Sequence, residues 1–401
     1  MDTYPLRKRT VRRIFILVSA IVMQTCLGGI YAWSVFVSPL KQGYGLDSTQ
    51  TQLLFGGCIL IFTLSMVIAG RFLERIGPRW MAAAGGVLFA LGYWVASLSG
   101  GTMPLLFLGV SILTGIGIGL AYVCPIVTCM RWFPKIKGLV TGLAVAGFGG
   151  GAVVLSNLGS HWLSTGVDVL QIFGWVGLSY GALIVLAAMS FTFPPAPQEA
   201  RQESAPIPRI LTNGRFWRLC AGMFAGTFAG LLTIGNLKPI GEAWGVAENY
   251  SVMAVSLLAL GNAAGRIAWG FVFDRVKTRS IPLSLAFLSL AILFLLVVGS
   301  LSLAFVLAAF LIGFGFGACF VVYASAVDHY FGAEHVGRLY PRVFLAYGLS
   351  GILGPTLGGS LFDLSGSYSG ALIVCALLPV LAIGLSRLRA VSPVRTPEAE
   401  A

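Results

Sequence analysis

The chain reads as an all-α membrane protein of twelve transmembrane helices in two six-helix halves, and three observations lead there. Hydrophobic residues fill 57% of the 401 positions and charged residues only 10%, against about 25% charged in an ordinary soluble domain. Apolar runs of about 18 residues or more, each long enough to cross a bilayer, recur along the whole length. Two stretches also repeat at nearly equal offsets. Gly70-Arg71-Phe72-Leu73-Glu74-Arg75 returns as Gly270-Phe271-Val272-Phe273-Asp274-Arg275, and Gly115-Ile116-Gly117-Ile118-Gly119 returns as Gly313-Phe314-Gly315-Phe316-Gly317.

The first apolar run follows Arg7, Lys8, Arg9, Arg12 and Arg13 and continues from Ile14 to Leu40 with no small-residue cleavage pattern. It is too long for a signal peptide and is read as a retained first span. The first six spans are expected at 14–38, 51–72, 80–99, 104–127, 138–160 and 170–193. The second six are expected at 217–241, 251–273, 280–299, 302–327, 341–361 and 370–390. Between them Pro194, Pro195, Pro197, Pro206 and Pro208 lie among polar residues, the composition of a linker. The chain thus divides into an N-terminal half (1–193), a cytoplasmic linker (194–216) and a C-terminal half with a short cytoplasmic tail (217–401). A six-plus-six duplication is an architecture of secondary transporters, and the 52 glycines suit close helix packing in lipid.

A net charge of +12 raises the question of nucleic acid, and the placement of the charges answers it. With a cytoplasmic N-terminus, all of the 26 Lys and Arg except Lys41, Lys238 and Arg266 fall on the cytoplasmic side. That is the positive-inside bias of a membrane protein; no nucleic-acid partner is expected. Both termini are expected to be cytoplasmic, in a multi-pass protein of the cell inner (plasma) membrane. The seven cysteines include no C-x-x-C pair and read as buried apolar residues. No metal site, cofactor motif, nucleophile or nucleotide-binding loop stands out, so neither an enzyme nor an ATP-driven pump is expected.

Arg266 is the exception that matters. A central arginine costs about 2.5–3.5 kcal/mol on insertion scales, and an embedded cation marks a functional site by default. Tyr31, Tyr122, Asn236 and Tyr323 lie at comparable depth in spans one, four, seven and ten. A tyrosine presents an apolar face and a hydroxyl together, which suits a short carbon chain ending in a carboxylate. For any single tyrosine, a hydroxyl satisfied by a neighbouring helix explains the residue equally well. Lys238 reads either as a snorkelling side chain or as an entrance cation. No Asp or Glu lies mid-span; Asp328 and Asp363 sit at span ends, with His329 and His335 beyond the tenth span.

Gly70-Arg71-Phe72-Leu73-Glu74-Arg75-Ile76-Gly77-Pro78-Arg79 resembles the signature loop of the major facilitator superfamily. The resemblance implies a cytoplasmic latch of Glu74, Arg75, Asp274 and Arg275, for which a solvated helix-end pair is the alternative. Arg131-Trp132-Phe133-Pro134-Lys135-Ile136-Lys137-Gly138, with Gly142, Gly147, Gly149 and Gly150, is similar to a span junction of the oxalate/formate antiporter family and the monocarboxylate transporters. So are Gly29-Ile30-Tyr31-Ala32-Trp33 and Gly265-Arg266. This resemblance makes Arg266 the substrate-carboxylate ligand and supports aromatic cavity walls at Tyr31, Tyr122 and Tyr323. It also exposes two departures. Where the oxalate carrier has a lysine before a glycine in span eleven, this chain has Tyr347-Gly348. Where animal monocarboxylate transporters have an aspartate one turn before the arginine, it has Asn262, which can orient a guanidinium but not carry a proton; a structural asparagine is the alternative reading.

One cation suits one carboxylate held in a bidentate fork. The expectation is therefore a secondary transporter of short monocarboxylates of the lactate or pyruvate type. It would be a proton symporter working by alternating access around Arg266, monomeric in the bilayer, with Asn236, Tyr347 and Asn262 completing the site. A carboxylate exchanger of the oxalate/formate type and a non-transporting carboxylate sensor are the rival expectations.

Overall fold

The computed structural model describes residues 6–133, 137–194, 213–298, 300–331 and 333–387. Every regular element among them is helical. The helices make twelve membrane spans in two six-helix halves, in the expected order. The expected linker lies outside the described residues except at its two ends, where Pro194 and 213–216 are described.

The first span is a broken helix: Leu6–Gly28, a 3-10 turn at Gly29–Ala32, then Ser34–Tyr44. The break falls at paired glycines. A Cβ on Gly28 would sit 1.8 Å from the Phe148 carbonyl oxygen of the fifth span, so only glycine permits this approach. Tyr31 lies within the break. The second span, Ser48–Ile76, starts with a reciprocal cap in which Asp47 accepts from the Gln50 N–H and the Gln50 side chain accepts from the Asp47 N–H, satisfying two otherwise unpaired donors. Gly77, at φ 81°, ends it, and Pro78 opens the third span, Pro78–Ser97.

The fourth span runs from Met103 through a π-helical stretch at Phe107–Leu113 into Thr114–Trp132. The fifth is Lys137–Ser164 and the sixth Val169–Ala188. The second half follows with Gly214–Ala243, Glu248–Val276, Ser280–Val298, Ser302–Phe331, Ala333–Ser365 and Ser369–Arg387. The eleventh helix reaches well past the apolar run 341–361, because helical hydrogen bonding continues into the interface after hydrophobicity has ended. Tyr347 accordingly sits in the body of its helix rather than near an end.

The glycine repeats show how each half is packed. Added Cβ atoms on Gly115 and Gly119 would meet the Cys58 and Phe62 carbonyls of the second span, and one on Gly117 would meet Phe89 of the third. In the other half Gly313 and Gly317 press on the Leu258 and Asn262 carbonyls of the eighth span, while Gly315 meets Leu288 of the ninth. In both halves, alternating glycines seat one helix on two neighbours, the small-residue packing that lets helices associate in lipid. Between the halves, the second span packs on the eleventh and the fifth on the eighth.

Candidate functional site

The helical period of the eighth span carries Arg266 into the interior. Asn262, Gly265, Arg266, Trp269 and Phe273 are buried, whereas Leu260, Ile267 and Phe271 are exposed on the lipid-facing side. Arg266 keeps 3% of its surface while its neighbour Ile267 keeps 64%. The helix is pinned by facing pairs: Gly261 and Gly265 lie against the Phe310 and Phe314 carbonyls, and Gly313 and Gly317 lie against the eighth span.

Three contacts orient the guanidinium. Its Nε donates to Asn262 Oδ1 at 3.1 Å, its Nη1 donates to the Val145 carbonyl of the fifth span at 3.3 Å, and its Cζ lies over the Phe320 ring, 4.3 Å from the centroid. The Tyr122 hydroxyl lies close enough to Arg266 to feel its charge. Among the described residues no carboxylate pairs with Arg266; the ion pairs found there belong to Lys238. With Nε given to Asn262 and one Nη1 hydrogen to Val145, three of the five N–H donors of the guanidinium are left for a ligand.

Around this cation the two halves contribute an aromatic enclosure. Tyr31 and Tyr347 join hydroxyl to hydroxyl at 2.7 Å across the halves, and both lie close enough to Arg266 to feel its charge. Phe148 meets Tyr31 and Tyr122 edge-on at 5.1 and 5.3 Å, Phe62 meets Tyr122 at 5.1 Å, and Phe320 meets Tyr347 at 5.4 Å. Cations stacked on desolvated rings gain roughly 2 kcal/mol. That interaction offsets part of the burial cost while leaving the positive charge unneutralised.

The sequence candidates therefore separate. Arg266, Asn262, Tyr31, Tyr122 and Tyr347 come together. Tyr323 does not join them: its hydroxyl lies against Gly222 of the seventh span, 2.5 Å from where a Cβ would stand there. Asn236 is also elsewhere, its Nδ2 bonded to the Leu232 carbonyl and close to Gly358 of the eleventh span. Lys238 is an ion-pair partner of Glu248 at 3.0 Å and Glu242 at 3.8 Å. Of the latch candidates, Asp274 and Arg275 are exposed, with Arg275 over the Phe271 ring; the side chain of Glu74 lies outside the described residues, as do those of Asp328 and His335.

Sequence reasoning passed over Phe62, Phe148, Phe320 and the Val145 carbonyl. A usable signal was present in the aromatic stripes Phe316 and Phe320, and Tyr340, Phe344 and Tyr347, spaced at three and four residues as one helix face requires. The repeat also yields an asymmetry. The packing of Gly119 on Phe62 and of Gly317 on Asn262 makes those two residues equivalent, so Met66, buried at 8%, stands where Arg266 stands in the other half. The cation has no symmetric counterpart.

Comparison with known proteins places the chain among membrane transporters of one family. The family model described as Major Facilitator Superfamily matches residues 15–340 and 219–401. An oxalate:formate antiporter of Oxalobacter formigenes is 29% identical, covering 93% of this chain and 90% of that protein. Monocarboxylate transporter 13 of Rattus norvegicus is 26% identical over 77% of this chain and 72% of its own length. A crystal structure of a bacterial homologue of the human lysosomal transporter Spinster, inward-facing and unoccupied, superposes with a TM-score of 0.74 at 16% identity, covering 93% of this chain and 96% of that one.

Proposed function

The chain belongs to the major facilitator superfamily, and we propose that it is a secondary transporter of short monocarboxylates, binding the substrate carboxylate at Arg266. The observation that carries this reading is a buried guanidinium with no acid paired to it among the described residues, enclosed by rings and hydroxyls rather than by a second cation. The carboxylate would take the free end of the fork, as charge-assisted, bidentate pairs do. Tyr122 and the Tyr31–Tyr347 pair would supply hydroxyls, and Phe148 and Phe320 the apolar walls for a short carbon chain.

In this reading the halves, 1–193 and 217–401 joined by 194–216, rock about the site so that it opens to each side in turn. Both termini face the cytoplasm, with Glu74, Arg75, Asp274 and Arg275 as the latch between states. A proton moving with the anion would make uptake electroneutral, avoiding about 2.3 kcal/mol per 100 mV for each charge moved. Similarity to an oxalate:formate antiporter over nearly the whole chain supports a second reading, in which one carboxylate is exchanged for another.

Reconstituted protein separates the two. Labelled lactate, pyruvate, formate and oxalate are offered to proteoliposomes with and without an imposed pH gradient, and again with unlabelled carboxylate trapped inside. Symport predicts gradient-driven accumulation of a monocarboxylate. Uptake that needs internal carboxylate and ignores the gradient establishes exchange, and saturable binding with no accumulation overturns both.

A further inference from the structure

The face opposite the chain termini carries a second set of charges that the substrate site does not use: Lys238 is buried and Lys41 half-buried, while Asp363, Glu242 and Glu248 are exposed. The first residues of the second span, Ser48 and Thr49, present free N–H groups, as every helix start does. Asp47, just before them, spends its side chain on the Gln50 N–H. Ser48 and Thr49 are served by an acid from the opposite half. Asp363, at the end of the eleventh span, accepts from Ser48 N at 3.2 Å, Thr49 N at 2.8 Å and Thr49 Oγ1 at 2.7 Å. Gly359, one turn earlier, brings the backbones together: a Cβ there would sit 2.6 Å from the Ser48 carbonyl oxygen. Ser360 Oγ lies 3.2 Å from the same Thr49 hydroxyl.

A second link runs parallel. Ser38 of the first span donates to the Glu242 carboxylate of the seventh, and Glu242 is held by Lys238, which also pairs with Glu248. Lys41 donates to Ser48 Oγ and lies over the Phe362 ring at 4.9 Å. The two lysines that break the charge bias of the chain thus both lie on this face, one in each link.

We propose that Asp363 is a clasp that holds the face opposite the termini closed, by capping the second span from the other half of the molecule. Its carboxylate lies at the positive end of that helix, where a negative charge is favoured. Parting the halves on this face removes every one of those hydrogen bonds at once. Burial raises the Asp363 carboxyl and the bonds from Thr49 and Ser48 lower it by more, leaving it below the usual carboxylate range. With Lys41, Asp47, Glu242 and Tyr368 around it, the clasp stays charged across the neutral range; it is a mechanical element rather than a proton carrier. The inference rests on the rocking of the halves but not on what is transported.

The test reads a distance, without substrate, so it stands apart from the transport assay. Thr165→Cys and Ala247→Cys place spin labels on exposed loops of that face, one in each half; unlabelled-position protein, whose native cysteines are buried or half-buried, is the labelling control. In full-length protein in nanodiscs, Asp363→Ala is expected to raise the ratio of long to short separations roughly tenfold or more, the worth of hydrogen bonds to a charged group. Thr49→Val, which removes one of those bonds, should shift it less in the same direction. If Asp363→Ala does not fold, Asp363→Asn, which keeps the acceptor but not the charge, is read in its place. Separations like those of the parent protein in both the Asp363 and Thr49 variants would overturn the proposal.

Discussion

Asn262 Oδ1 accepts the Nε hydrogen of Arg266 at 3.1 Å, one turn away on the same helix. The orienting group is a neutral amide, so the guanidinium is aimed without being neutralised, and its full charge remains for a ligand. Replacing the amide by an acid should reverse this. Asn262→Asp is expected to pair with Arg266 and suppress carboxylate uptake at neutral pH, with recovery as pH falls and the new acid takes a proton. A pH profile of uptake checks it; neutral-pH transport equal to the parent protein would show that Arg266 does not need its charge free.

Arg266→Lys keeps a positive charge but loses the fork, the Nε bond to Asn262 and the guanidinium's contact with the Phe320 ring. Uptake should drop roughly 10- to 100-fold, the range for losing hydrogen bonds to a charged group, while the variant still purifies as a folded protein. Undiminished transport would place the substrate elsewhere.

Tyr347→Lys puts a second cation beside the first, where the Tyr31–Tyr347 hydroxyl pair now stands. Preference should move from monocarboxylates toward dicarboxylates in competition assays with lactate and oxalate. An unchanged ranking would mean that the number of cations does not set the substrate charge.

Gly317→Ala tests the helix contact that positions Arg266. Its Cβ would lie 2.4 Å from the Asn262 carbonyl oxygen, and overpacking of this kind costs about 1–3 kcal/mol. The unfolding temperature in detergent should fall and transport with it. Gly150→Ala, whose Cβ meets nothing within 4 Å, should leave both nearly unchanged.

Lys277 has φ 50° at the end of the eighth span, where the repeated loop in the first half has Gly77 at φ 81°. A side chain in such a conformation costs on the order of 1 kcal/mol or more. Lys277→Gly should therefore raise thermal stability slightly without altering uptake. A lower unfolding temperature would show that the lysine side chain contributes more than its backbone costs.

The order and number of the spans were legible because bilayer crossing is a local property: a run of apolar residues long enough to span predicts a helix without reference to the rest of the chain. The glycine repeat was legible for a similar reason, since helix contact in lipid requires small residues at fixed spacing. The candidate site was legible only in part. Arg266 announces itself by its cost, and Asn262 by its place one turn away, but depth along the membrane could not separate Tyr31 and Tyr122 from Tyr323 and Asn236. Depth says nothing of direction, and the last two point into helix contacts of the second half.

What the sequence by itself determined is the membrane class, the doubled pattern and the presence of one costly cation at the middle of a span. Tertiary structure alone decided what that cation meets. Phe320 and Val145 come from other helices, the Tyr31–Tyr347 bond joins residues at opposite ends of the chain, and Asp363 reaches the start of the second span from the other half. These are long-range relations set by the packing of helices against one another, and no local pattern of residues encodes them.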